Sequence, residues 1–420
     1  MSEEQNINQL PIDWKWVKLG DVCQKVESVK RKEKKDDEEF FYLDIGGIDN
    51  TINKIVSHKS YKWKEAPSRA QQIIFKNDIL FSTVRTYMKN IAVVEDKIYN
   101  GQIASSGFCV LRSNNNFVDS KFIFYYTLSQ KFIQPLNELQ TGSSYPAVRD
   151  KDVFVQPFPL SPKPIQQAIV SKIEELFSEL DKGIEQLKTA QQQLKTYRQS
   201  VLKWAFEGRL TNENVNDGEL PEGWVIKSID EVANVGTGAT PLKSKSEYYG
   251  GNISWVTSGA LNEEYVREAT DFVTEKAVKE TNLTVYSKHT LLVAMYGEGK
   301  TRGKCSELLI EACTNQAIAA IYFDEQQIQV KPYLKYFLLK NYIDVRKKSS
   351  GGVQPNLNLG IIKKLQFPFP PLEEQNKIVQ EIESRLSVAD KMEESITQSL
   401  QHAEALRQSI LKKAFEGRLV

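Results

Sequence analysis

The sequence predicts two mixed α/β (α+β) domains joined by a long intramolecular antiparallel coiled coil, with the second half of the chain repeating the first about a pseudo-two-fold axis. Three observations predict this. Residues 158–210 match residues 367–419 without a gap, at 24 of 53 positions. Both copies place apolar residues every seven positions. The stretches between them hold short β-like runs and little helical periodicity.

The repeat sets the domain order. Matched pairs include Phe158/Phe367, Pro162/Pro371, Gln166/Gln375, Ile169/Ile378, Val170/Val379, Ile173/Ile382 and Asp181/Asp390. The copies end almost identically, RQSVLKWAFEGRL against RQSILKKAFEGRL. Fainter echoes lie outside: LPIDW (Leu10–Trp14) answers LPEGW (Leu220–Trp224), and Pro146 in GSSYPAV answers Pro355 in SGGVQPN. The chain reads as a first domain over 1–157, a helix over 158–210, a second domain over 211–366 and a helix over 367–420.

Each helix follows from its spacing. Ile173, Leu180, Leu187, Leu194 and Val201 fall on one seam; Ile382, Ala389, Ile396, Ala403 and Ile410 fall on the other, with Leu386, Met392, Leu400 and Leu406 beside them. Such heptads argue for a coiled coil. Pro162/Pro164 and Pro370/Pro371 mark the starts, and Gly208 and Gly417 the ends. The first helix leads from the first domain to the second. The second helix must run back to pack on it, so the pair is antiparallel and the domains sit at opposite tips. About 43 residues at about 1.5 Å rise make a spacer of roughly 65 Å.

Each domain follows from strand signals: IIF, DILFST and GFCVLR in the first, LLVAMY and AIAAIYF in the second. FYLDIGGIDN parallels ISWVTSGALN, and DILFSTVRTYMKN parallels TLLVAMYGEGKTRGK. One scaffold with different loops suits two modules that recognise different things.

Composition narrows the class. The 420 residues are 40% hydrophobic and 26% charged, as in globular proteins. No apolar run reaches membrane-spanning length, and the acidic start lacks a signal-peptide pattern. Cys23, Cys109, Cys305 and Cys313 form no CxxC and read as buried reduced thiols, so the expected location is cytoplasmic. Net charge is only +1, yet residues 58–90 hold seven Lys/Arg against Glu65 and Asp78, a candidate basic face. The mixed-sign run KRKEKKDDEEF (Lys30–Phe40) reads as a mobile loop.

The interior loops have a nucleic-acid character. SYKWKEAPSRAQQ combines Lys62, Lys64 and Arg69 with aromatic residues, and STVRTYMKN offers Ser82, Thr83, Arg85, Tyr87 and Lys89. In the second domain TGATPLKSKSEYYGG offers Thr237, Thr240, Lys243 and Lys245. YGEGKTRGK adds Tyr296, Lys300, Thr301, Arg302 and Lys304, and TNQA adds Asn315 and Gln316. Arg, Lys, Asn and Gln match base edges, while Ser, Thr and Lys commonly hold phosphate.

Chemistry is hard to find. GEGKT lacks the first glycine of a phosphate loop, because Ala294 stands there. NVGTG is followed by no βαβ unit. No nuclease PD…ExK or amino-methyltransferase NPPF/DPPY signature occurs, and His58, His289 and His402 form no evident catalytic or metal constellation. No metal site is expected in this chain.

FPxxPxxxQ at the start of each long helix, AFEGRL at its end, and the two different loop sets together resemble the specificity subunit of Type I restriction–modification systems. The resemblance covers essentially the whole chain. It implies two target-recognition domains, each reading half of a bipartite double-stranded DNA site. It implies helices that set the spacing and dock two methyltransferase subunits, which up to two restriction/translocase subunits then join. Catalysis and cofactors (S-adenosylmethionine, ATP and Mg) would belong to those partners and none to this chain. The repeated helix ends would present Lys203/Lys412 and Arg209/Arg418 to each methyltransferase, with Phe206/Phe415 either packing the helix end or anchoring the partner. The first domain lacks the TPSTK-type loop that TPLKSK approximates, so the half-sites should differ. Other readings are a specificity subunit of a fused restriction–methyltransferase enzyme, a coiled-coil protein scaffold without DNA specificity, or a methyltransferase itself, against which the missing motif speaks.

Overall fold

Consecutive apolar residues on a strand must face opposite ways. In the computed structural model Ile79 and Phe81 join a core shared with helices, whereas Leu80 joins a second core between two sheets. The run Thr290–Ala294 repeats the arrangement: Leu291 and Val293 face helices, Leu292 and Ala294 the other core. Both are interior strands covered on two sides, which is why DILFS and TLLVA read as unbroken apolar runs.

The structure describes residues 10–212, 215–216, 218–296, 301–348 and 357–420. Pro355 and the GEGK of residues 297–300 lie outside them. The helices are α1 (Ser120–Leu128), α2 (Gln130–Glu138), α3 (Asp150–Phe154), α4 (Lys163–Phe206), α5 (Glu275–Glu280), α6 (Lys331–Lys348), α7 (Leu359–Lys363) and α8 (Leu372–Phe415). Two compact units emerge, residues 1–188 with 397–420, and residues 189–396. Each thus combines one recognition block with half of each long helix, a division that cuts across the sequence-based boundaries.

In the first unit one sheet runs Lys59–Lys62, Glu39–Leu43, Gln102–Ser105, Ala70–Ile74. A second runs Cys23–Gln24, Phe108–Ser113, Ile79–Ser82, Ile91–Val93. In the second unit a five-stranded sheet (Asn234–Thr237, Ile318–Tyr322, Leu291–Ala294, Cys305–Leu308, Tyr265–Val266) stands with a three-stranded one. Each unit adds an antiparallel ribbon in matching register: Lys15–Lys18 pairs with Pro157–Leu160, and Val225–Ser228 with Gln366–Phe369. Residues 157–160 are therefore strand, not the start of the helix assigned from residue 158. The prolines at 157, 159 and 162 deny that stretch a helical ladder.

The long helices run antiparallel within each unit. In the first, Ile169, Ile173 and Phe177 share a core with Ile410, Ala414 and Phe415. Further along α4, Leu180, Gly183 and Leu187 line a groove with His402, Ala403 and Leu406. In the second, Val201, Ala205 and Phe206 pack with Ile378, Val379 and Ile382, and Arg198 reaches Asp390 and Glu393. Met392 and Leu406 remain about half exposed, because a two-helix seam covers only a narrow stripe.

Both helices stop the same way. The Arg209 N–H donates to the Trp204 carbonyl and the Arg418 N–H to the Lys413 carbonyl, with Gly208 (φ 77°) and Gly417 (φ 69°) left-handed between. The four cysteines are free. Burial pushes the thiols of Cys23 and Cys305 up to about 12, away from nucleophilic reactivity. Among the described residues no helix is long and apolar enough to cross a membrane.

Candidate nucleic-acid interface

Strand order places a candidate loop at the same end of each central sheet. In the first unit the chain leaves Ile79–Ser82 into Thr83–Lys89, beside Gly107, whose carbonyl accepts from the Thr83 N–H and hydroxyl. In the second unit Met295 and Tyr296 follow the equivalent strand, and the Met295 N–H donates to the Ala317 carbonyl. Thr301–Lys304 closes on the same strand end through Gly303 N–H to the Ala294 carbonyl. Thr240 and Gln316 join their side chains across the neighbouring strands. The loops named from sequence therefore converge in the second unit; in the first, the Thr83–Lys89 turn occupies the matching strand end, while Lys62 lies opposite Glu39 at the other end of its sheet.

Their side chains divide into supports and solvent-facing groups. Ser82 and Thr83 are buried, their hydroxyls donating to the carbonyls of Val84 and Gly107. As DNA-contacting side chains these two are corrected: they brace the turn. Thr237 donates to the Ile318 carbonyl, and the Asn315 side chain accepts from Ala317 N–H. Lys245 reaches the Tyr248 hydroxyl at 2.9 Å, and Lys304 the Asn262 side chain at 2.9 Å. Lys243 and Tyr296 are exposed; Thr301 and Arg302 are half-buried. Lys300 lies outside the described residues.

The glycines of NVGTG have a packing reason. A Cβ on Gly238 would lie 1.6 Å from the Thr314 carbonyl oxygen, and one on Gly236 2.5 Å from the Tyr286 hydroxyl. The motif is a crowded strand, not a nucleotide turn.

The expected basic face over residues 58–90 is dispersed. Lys59 pairs with Asp44 at 2.5 Å and Lys64 with Asp37 at 3.2 Å. Lys62 is half-buried, while Arg69 is exposed. Trp63 is buried and stacked on Phe40 at 4.2 Å, so it is core rather than a stacking platform. Burial lowers the pKa of Lys89, with smaller contributions from the charges of Glu404 and Arg407 on α8. The run Lys30–Phe40 is likewise tied down. Arg31 donates to the carbonyls of Pro67 and Ala70, and Lys34 lies over the Trp63 ring at 5.6 Å.

Besides Arg69, a surface forms around Arg85. Its guanidinium donates to the Ser144 carbonyl at 3.0 Å and lies 5.0 Å from the Tyr145 ring centroid. Tyr87, Met88 and Tyr145 are exposed beside it. Tyr145 and Ser144 escaped the sequence reading, although GSSYP had stood out as one half of a repeat.

At the helix ends Phe206 and Phe415 prove to be core. Phe415 packs on Phe122 and Tyr126 at 5.1 and 5.0 Å, and Phe206 on Tyr333 and Phe337 at 5.0 and 5.5 Å. The anchoring alternative is thereby corrected, since both rings are about 3% exposed. Lys203, Arg209, Lys412 and Arg418 are exposed; Arg418 pairs with Glu416 and Lys203 with Glu207.

A family model for the Type I restriction modification DNA specificity domain matches residues 11–189 and again 221–402. The chain belongs to that family. Like it, the EcoDI specificity subunit of Escherichia coli is 25% identical over 98% of this chain and 90% of its own length. The MjaVIII specificity subunit of Methanocaldococcus jannaschii is 23% identical over 99% of this chain and 96% of its own. A chain from a solved structure concerning complex assembly and conformational transition of the type I R–M system superposes with TM-score 0.81. It shares 27% identity, covering 98% of this chain and 99% of that one. The HsdS subunit from Thermoanaerobacter tengcongensis superposes with TM-score 0.66 at 27% identity, covering 99% of both chains. Each match thus spans a block and runs into the long helix that follows it.

Proposed function

We propose that this chain is the DNA-reading subunit of a Type I restriction–modification complex, with each unit reading one half of a bipartite site. The observation that carries the reading is the duplication: two specificity domains that each present a turn at the end of the matching interior strand while the loop residues differ. Two different surfaces on one scaffold recognise two different sequences. The paired helices set the spacing and offer two equivalent faces, carrying Lys203 and Lys412, to two methyltransferase subunits. Restriction subunits, up to two, join through that assembly. The complex works on genomic DNA, hence in the cytoplasm. S-adenosylmethionine serves the methyltransferases, and ATP with Mg the restriction subunits. This chain supplies position and sequence choice, not bond-making groups.

Filter binding with the cognate methyltransferase tests the reading. Retention of DNA should depend on sequence in two separated blocks and fall steeply with salt, because phosphate contacts release counterions. A coiled-coil protein scaffold predicts retention that is neither sequence-dependent nor salt-sensitive. Retention of S-adenosylmethionine by this chain alone would favour a methyltransferase instead.

A further inference from the structure

The structure assigns to Arg85 the reading of a guanine in the half-site of the first unit, with Tyr145 as the ring that fixes its plane. The inference rests on the DNA-reading function proposed above.

The backbone presents Arg85 at a cost. Its φ is 50°, in the left-handed region that side-chain-bearing residues rarely enter, and Lys89 at the far end of the same turn has φ 51°. Such strain persists only where surroundings over-determine it, and it gathers at binding sites. Here they do. The Arg85 N–H donates to the Pro146 carbonyl at 2.8 Å, and the Asn50 and Asn53 amides hold the Met88 and Lys89 carbonyls at 2.8 and 2.9 Å. The Thr86 hydroxyl meets Asn137 and Gln140, each at 2.7 Å.

The side chain is equally fixed. The Ser144 carbonyl takes one guanidinium N–H, and the Tyr145 ring lies along the cation. Tyr145 is 72% exposed, so the pair stands on the surface rather than in the core. Arg112, by contrast, is consumed internally, with two donors on the nearly buried Asp78 at 2.9 and 2.7 Å. Arginine's fork also fits phosphate, but a backbone contact carries no sequence information and is served as well by a mobile lysine, so it gains nothing from a fixed orientation. A planar fork held by a carbonyl and a ring is suited to bidentate donation, and in the major groove its match is guanine O6 and N7.

The test uses the full chain in complex with its methyltransferase, with the half-sites defined by methylome sequencing. The half-site whose preferences change in Arg85→Lys should contain a fixed guanine. Arg85→Lys should lose roughly tenfold or more of the discrimination at that one position while retaining DNA. Tyr145→Ala should weaken the same preference, and Tyr145→Phe should keep it. The other half-site, read by the second unit, should be unchanged, which shows that the variants fold and assemble. A phosphate contact is the overturning result: Arg85→Ala would then weaken all sequences alike and reduce the salt slope, leaving the guanine preference intact. A first-unit half-site without guanine overturns it as well. If the wild-type complex shows no bipartite specificity at all, the DNA-reading function itself falls.

Discussion

Arg198 holds Asp390 at 2.6 Å, and the residues that repeat them, Arg407 and Asp181, are paired in the same way. Each arginine takes its partner from the other helix, so the duplicated sequence makes reciprocal contacts. Exposed pairs of this kind contribute only about 0.2–1 kcal/mol, yet they bias direction by opposing wrong registers. Arg198→Asp should lower the melting temperature by a few degrees, and adding Asp390→Arg should restore most of it. A double-mutant cycle with no coupling would remove the pair from the account of helix direction.

Glycine at the helix ends is dictated by close approach. A Cβ on Gly417 would sit 2.3 Å from Pro11 Cγ, and one on Gly208 2.2 Å from Pro221 Cγ. Both residues are left-handed besides. Gly417→Ala and Gly208→Ala should each destabilise by about 1–3 kcal/mol in denaturant titration. Gly183 has nothing near its Cβ position and lies inside α4. Gly183→Ala should stabilise by about 0.5–1 kcal/mol.

The AFEGRL ends separate core from surface. Phe415→Ala should cost about 3–5 kcal/mol, since it empties a site against Phe122 and Tyr126. Lys412 is exposed, and Lys412→Ala should change stability by less than about 0.5 kcal/mol. Calorimetry distinguishes the two. On the proposed docking role, Lys412→Glu should weaken methyltransferase binding in titration without lowering the melting temperature.

Acid should loosen the second unit through Glu307. Burial alone would raise its pKa, but hydrogen bonds from Lys331 (2.6 Å) and His289 (2.9 Å), with the charge of Lys335, hold it below the usual glutamate value. A depressed folded-state pKa contributes stability that is present above the unfolded value and lost as pH falls through the folded one. Melting temperature should therefore drop as pH descends below about 4.5, the unperturbed value. In Glu307→Gln the protein should melt lower at neutral pH and show a shallower acid limb.

Domain exchange has a preferred junction. Pro157–Leu160 pairs with Lys15–Lys18, and Phe158 packs on Phe122 and Tyr126. Replacing residues 1–160 by another such block should give a folded chimera in which one half-site changes, read by methylome sequencing. A junction after residue 157 leaves Phe158 facing a foreign core, and that chimera should melt lower.

Much of the architecture was legible because its causes are local or periodic. Heptads declared the two helices, the gapless repeat declared two equivalent blocks, and connectivity required antiparallel pairing. Apolar runs declared the strands, since an interior strand with two buried faces needs no polar alternation. The site was only half legible. Loop positions followed from strand ends, but the roles of individual side chains did not. Ser82 and Thr83 looked like phosphate ligands and brace a turn; Phe206 and Phe415 offered two readings and are core.

The sequence by itself determined the duplicated plan, the helix direction and where the loops would lie. Tertiary structure alone decided which cations are left for a ligand, because their neutralising partners are distant in the chain. Lys59 meets Asp44, and Arg112 meets Asp78 across neighbouring strands. Arg85 gains its orientation from Ser144 and Tyr145, some sixty positions later. Charge can be counted along a sequence, but its availability depends on what folding sets beside it.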